Sequence, residues 1–201
     1  MRPFGRSNLR AAVTPALVPV LALGLALAVA TTGCGDRKLV ARVDLQSFLD
    51  STETEAHYGP VPPVALTDSV TVADSRAVNL VPGLQDLTLV ESVTLDVAGE
   101  FRNLTGSGSG TVKLFLSDPG TDPFTTSPFV LPVSFAGSDT FRVATTIRDN
   151  PSLISLFNGD EMMLGIRLLV SNPPGAVDAI EGDFALTVLR AEVTSRQDVT
   201  H

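Results

Sequence analysis

The chain of 201 residues has no tryptophan, one tyrosine, one cysteine and two histidines. Each scarcity removes a class of function. A single cysteine cannot close an internal disulfide, and two histidines, one of them the terminal His201, leave transition metals without the clustered nitrogen and sulfur donors that they need. Without tryptophan, and with Tyr58 alone, the flat aromatic platforms that commonly stack on sugars are missing. Positive charge is also sparse. Beyond residue 33, 11 basic residues face 22 acidic ones, a balance opposed to nucleic-acid binding and to adsorption on anionic lipid through a basic face.

Catalysis finds little support in what remains. A serine–histidine–acid triad would have to be built on His57, and no nucleophile-elbow sequence is present. Scattered carboxylates form pairs by accident, so they carry no specific signal for glycoside hydrolysis. The chain is therefore expected not to be an enzyme and to use no cofactor. Calcium asks only for loop oxygens. The best acidic groups are Asp118 with Asp122, Asp160 with Glu161, and Asp178 with Glu181 and Asp183; none has ligand spacing, and aspartate beside proline or glycine is ordinary turn chemistry, so no metal site is expected.

What is present begins at the amino terminus. Arg2, Arg6 and Arg10 precede an apolar stretch, densest over 20–30, and Thr31-Thr32-Gly33-Cys34 follows. A basic start, an apolar centre and small residues at a cleavage point make an export signal. The Gly33-Cys34 pair in that position resembles the lipobox of bacterial lipoproteins; Thr31 departs from it, an aliphatic residue being usual there. The resemblance covers 1–34 only. It implies a signal peptide over 1–33, removed before Cys34, and lipid (palmitate among the acyl chains) on that cysteine, which becomes the membrane anchor in the cell envelope. Two other readings compete. Ala28-Val29-Ala30 suits an ordinary signal peptidase, and 11–30 is about the ~20 residues that span a bilayer, although Pro15 and Pro19 interrupt it.

From Leu39 onward, apolar residues recur at every second position, the mark of half-buried strands. Val93, Leu95, Val97 and Phe101 form one such series; Val112, Leu114 and Leu116 another; Phe129, Leu131, Val133 and Phe135 a third; Phe141, Val143, Thr145 and Ile147 a fourth; and Leu164, Ile166, Leu168 and Val170 a fifth. Pro132 lacks a ladder donor and places its strand at a sheet edge or bulge. Phe184, Leu186 and Val188 set one phase and Leu189, Ala191 and Val193 the opposite one, which predicts a one-residue bulge near Leu189. Shorter strands are expected at 39–45, 69–73, 77–81 and 87–90.

Asn150-Pro151 and Asn158-Gly159 delimit one short helix, and a helical turn is possible at 46–49. The glycine–serine run 106–110 reads as a hairpin loop, and Asp118-Pro119-Gly120 as an ordered turn. The proline-rich 51–68, which holds His57 and Tyr58, reads as an irregular connection. The sequon Asn103-Leu104-Thr105 matters only where eukaryotic glycosylation operates.

These signals predict an all-β, antiparallel β-sandwich over 39–197, immunoglobulin-like or jelly-roll, with a tether at 34–38 and a tail at 198–201. The expected function is a lipid-anchored, non-catalytic module for binding, adhesion or assembly. Its partners would be the membrane, through Cys34, and an envelope protein, with no nucleic acid. A glycan-binding or glycan-processing module and a calcium-dependent adhesive domain are the alternatives.

Overall fold

The structure, a computed structural model, describes residues 37–64, 67–80 and 89–197. The export signal, Cys34, Val81, Leu87 and the 198–201 tail lie outside the described residues. Among the described residues, nine strands carry the fold: β1 (Arg37–Asp44), β2 (Glu55–Val61), β3 (Thr67–Asn79), β4 (Leu89–Thr105), β5 (Ser107–Ser117), β6 (Phe129–Ala136), β7 (Asp139–Ile147), β8 (Glu161–Ser171) and β9 (Ile180–Gln197). One helix, α1 (Pro151–Phe157), is capped by Asn150, whose side chain accepts from the Ser152 amide.

Two antiparallel sheets face each other. The first runs β1-β9-β4-β7, with β2 also on β9, and the second runs β3-β8-β5-β6. Strands β2 and β9, β3 and β8, β4 and β7, and β5 and β6 are each hydrogen-bonded partners. That nesting is one long antiparallel ribbon wrapped round a core, the order of a jelly roll and not of an immunoglobulin sandwich. Strands β1 and β2 lie end to end along β9: Arg37 opposes Gln197 and Asp44 opposes Arg190, whereas Glu55 opposes Ala185 and Val61 opposes Ile180.

The alternation read from the sequence is the alternation of burial. Val93, Leu95, Val97 and Phe101 of β4, Val112, Leu114 and Leu116 of β5, and Leu164, Ile166, Leu168 and Val170 of β8 are all buried. The phase break in β9 falls at Thr187. Val188 opposes Ala98 and Leu186 opposes Gly99, so Thr187 is the extra residue that returns both Leu186 and Leu189 to the core. Pro132 lies on β6, an edge strand of its sheet. A bulged β3 merges the strands expected at 69–73 and 77–81, with register shifts after Thr71 and after Ala73.

Two expectations are overturned. Residues 106–110 do not form a hairpin loop: β5 begins at Ser107, and β4 and β5 belong to different sheets, so the chain turns a corner at Gly106 (φ +76°). The glycines of that run serve packing, since a Cβ on Gly110 would meet the rings of Phe135 and Phe101. The 51–68 segment is not an irregular connection either. Its centre is β2, and Tyr58 is fully buried there. The prolines at 60, 62 and 63 obscured a short alternation in which Ala56 and Tyr58 face inward and Glu55 and His57 outward.

Phenylalanine fills the core near β2. Tyr58 stacks on Phe135 at 5.9 Å, and Phe101 packs on Phe135 at 5.2 Å and on Phe184 at 4.9 Å, joining the two sheets. A second aromatic contact lies outside. The β5–β6 connection folds back so that Phe124 covers Phe115 at 5.1 Å, with the Arg167 guanidinium 4.2 Å from the Phe124 ring centre.

Candidate functional site

Four connections meet at one end of the sandwich: β2–β3, β4–β5, β6–β7 and β8–β9. Loops are where binding residues usually sit, provided that a scaffold holds them still. Two buried asparagines do so here. Asn103, 2% exposed, donates through Nδ2 toward the carbonyls of Thr105, Gly106 and Gly137 at 2.7–3.0 Å, tying the β4–β5 corner to the β6–β7 turn. Its Oδ1 accepts from the Tyr58 hydroxyl at 3.2 Å. Asn172 donates to Val61 O at 2.9 Å and to Asp178 O at 3.0 Å, linking β2 to the β8–β9 connection. The Thr105 hydroxyl adds a bond to Ala179 O at 2.9 Å. Because the side-chain amide nitrogen carries two N–H donors, each asparagine can bond to more than one loop carbonyl.

Between the laced loops is an open depression of about 960 Å³, lined by residues from Thr105, Ser107, Gly137, Pro173, Val177 and their neighbours, with Asp178 its one charged residue. Val177 is 89% exposed beside it, and Val64 (64%) and Leu104 (41%) are at the same end of the sandwich. A mouth with a single charged residue on an acidic chain has the composition of an interface centre, where charge is depleted. In the fold the sequon's Asn103 side chain is buried and hydrogen-bonded.

The second cluster lies on the outer face of the first sheet. His57 of β2 stands directly opposite Asp183 of β9, with Nδ1 3.0 Å from Asp183 Oδ1 and Nε2 3.5 Å from Glu181 Oε1. The Asp183 hydrogen bond is the largest influence; with the Asp183 and Glu181 charges it outweighs desolvation and raises the imidazole pKa above its ordinary value. With a carboxylate on each ring nitrogen, the protonated form of His57 is favoured on the sheet surface. Tyr58, the other candidate from this segment, points the opposite way. Burial, with a smaller contribution from Asp183, pushes its phenol far up, so it stays neutral. A fully buried ring cannot serve as a sugar platform.

Of the candidate calcium groups, Asp122, Glu181 and Asp183 have engaged carboxylates, while Asp118, Asp160 and Asp178 contribute backbone carbonyls to turns and loops. Asp122 caps a 3-10 turn by accepting from the Phe124 amide at 3.0 Å, and the Asp118 carbonyl accepts from Thr121 N at 3.1 Å with Gly120 at φ +76°, a type II turn. The Asp160 carbonyl accepts from Leu80 N, and the Asp178 carbonyl from Asn172. Among the described residues, no three His, Cys, Asp or Glu side chains are grouped to hold a metal.

The fold and this loop end define the chain as a jelly-roll β-sandwich with one clasped, apolar-tipped end. No family model matches the chain. No curated protein matches it. Among solved structures it is similar to a chain in the structure of infectious bursal disease virus Gx strain, at 12% identity and TM-score 0.38 over 98% of this chain and 40% of that one. A chain of the Gt strain gives 12% identity and TM-score 0.40 over 96% and 39%. One from black queen cell virus gives 12% and 0.23 over 98% and 93%. The chain thus spans about two fifths of the two bursal disease virus chains. Likenesses this slight carry no functional inference.

Proposed function

We propose that the protein is a lipid-anchored jelly-roll module of the cell envelope, binding a protein partner through the loop end. One observation supports this most. Cys34 lies three residues before Arg37, and Arg37 opposes Gln197, at the far end of β9 from Ile180 and the loops. An 18-residue strand is roughly 60 Å long. Three extended residues reach only ~10 Å. Lipid on Cys34 would therefore hold the sandwich close to the membrane by one end and present the Asn103–Asn172 clasp, with Val64 and Val177, at the other. Two or three acyl chains suffice for stable anchoring at roughly 0.8 kcal/mol per buried CH₂.

The test is the intact mass and detergent-phase partitioning of the full chain beside Cys34→Ser, both expressed in a bacterium that processes lipoproteins. Acyl mass on Cys34, with partitioning lost in the variant, supports the anchor. A soluble product beginning at Thr31 in both would overturn it.

A further inference from the structure

Edge strands expose unpaired backbone groups, and a folded chain usually blunts them. Three edges of this sandwich are blunted. Strand β1 carries Arg37, Lys38, Arg42 and Asp44 in eight residues, and β2, beside it on the same edge, has Pro60 and a register shift after Tyr58. Strand β3 is bulged twice and bears Asp68, Asp74 and Arg76. Strand β6 lacks a donor at Pro132, in its middle.

Strand β7 differs. It is terminal in its sheet, contains no proline, and runs in unbroken register with β4 through nine pairs, from Asn103–Asp139 to Leu95–Ile147. Four of its residues are β-branched threonine or valine between Thr140 and Thr146, types suited to pairing. Its central charge, Arg142, is already matched by Glu100 of β4 at 3.0 Å.

We infer that β7 is the edge through which two copies of this chain associate, as an antiparallel pair about a two-fold axis at Val143. The strand is self-complementary in that register. Thr140 falls opposite Thr146 of the second copy, Arg142 opposite Ala144, Phe141 opposite Thr145, and Val143 opposite itself. Threonine pairs and β-branched pairs are favourable across strands, and no like charges stand directly opposite. The two-fold operator is the usual one for a self-complementary patch. The pairing would extend the first sheet into a continuous sheet across both copies. It does not depend on the lipid, and a chain released in soluble form would pair in the same way.

Ala144 is exposed, so it can be changed without disturbing the core. The experiment is sedimentation of the full chain, as the cell processes it, in mild detergent, with Ala144→Lys and Ala144→Glu beside the wild type. The wild type sediments as a dimer. Symmetry counts each substitution twice: lysine meets Arg142 of the other copy in two places and weakens the dimer about tenfold or more, whereas glutamate strengthens it or leaves it intact. Monomeric wild type at about 100 μM, near the weak end of specific association, overturns the inference. So does a dimer that responds equally to lysine and glutamate.

Discussion

Tyr58 donates its hydroxyl hydrogen to Oδ1 of Asn103 at 3.2 Å, both residues shut away from solvent, and this one bond joins the core of β2 to the loop clasp. Tyr58→Phe keeps the ring and removes the donor. It should cost about 1–2 kcal/mol in urea unfolding, because Asn103 Oδ1 is left unpaired. Tyr58→Ala should cost ~3–5 kcal/mol, and deletion of most of 51–68 should abolish folding. If the deletion leaves the unfolding transition unchanged, the place of β2 in the core is wrong.

Gly182 lies on β9 against that same pair. A Cβ there would collide with the Arg102 carbonyl and with the Tyr58 hydroxyl, and the first of these is backbone that cannot swing aside. Gly182→Ala is expected to destabilise by roughly 1–3 kcal/mol, the usual cost of overpacking. Gly120→Ala makes a useful contrast: nothing surrounds its Cβ, but its φ of +76° still disfavours a side chain, so a smaller loss is expected.

Phe101 is fully buried against three other rings, Tyr58, Phe135 and Phe184, whereas Phe141 is only partly buried at the edge strand β7. Phe101→Ala should cost ~3–5 kcal/mol, and Phe141→Ala clearly less. Equal losses by chemical denaturation would show that the sandwich closes more tightly at β7 than its exposure indicates.

His57 gives stability a pH dependence of known sign. Its pKa in the fold is raised, first through the Asp183 hydrogen bond, with Glu181 adding charge. Glu55, Glu100 and Arg102 share the shallow depression around it. A raised histidine contributes fully below its unfolded pKa of about 6.5, and the contribution fades as pH rises through the folded value. Exposure keeps the effect small. In proton NMR the His57 ring should titrate above its unfolded midpoint, and Asp183→Asn should lower it; a midpoint indifferent to Asp183→Asn would contradict the pairing.

At the loop end, a photo-cross-linking residue in place of Val177 should trap a protein partner in cells, while the same residue at Leu89, at the opposite end of β4, should not. Adducts at both positions alike would remove the preference for the loop end.

Much of this architecture is legible in the sequence, since a strand with one face in a core must alternate. The series ending in Phe101, Leu116 and Val170 locates three strands, Pro132 marks an edge, and the phase reversal between Leu186 and Leu189 marks a bulge. The Asn150-Pro151 cap fixes the helix start by hydrogen-bond chemistry confined to three residues. What alternation cannot express is which strands become neighbours. The sequence left immunoglobulin-like and jelly-roll orders equally open, and the nested pairing, set by contacts more than a hundred residues apart such as Tyr58 with Gly182, decided between them. The same holds for the site. Asn103 and Asn172 look like ordinary loop asparagines until the fold brings Gly137 and Val61 within reach, and His57 has no partner in sequence until β9 lays Asp183 beside it. Local chemistry determined the elements of this protein; the long-range pairing of its backbone decided what they surround.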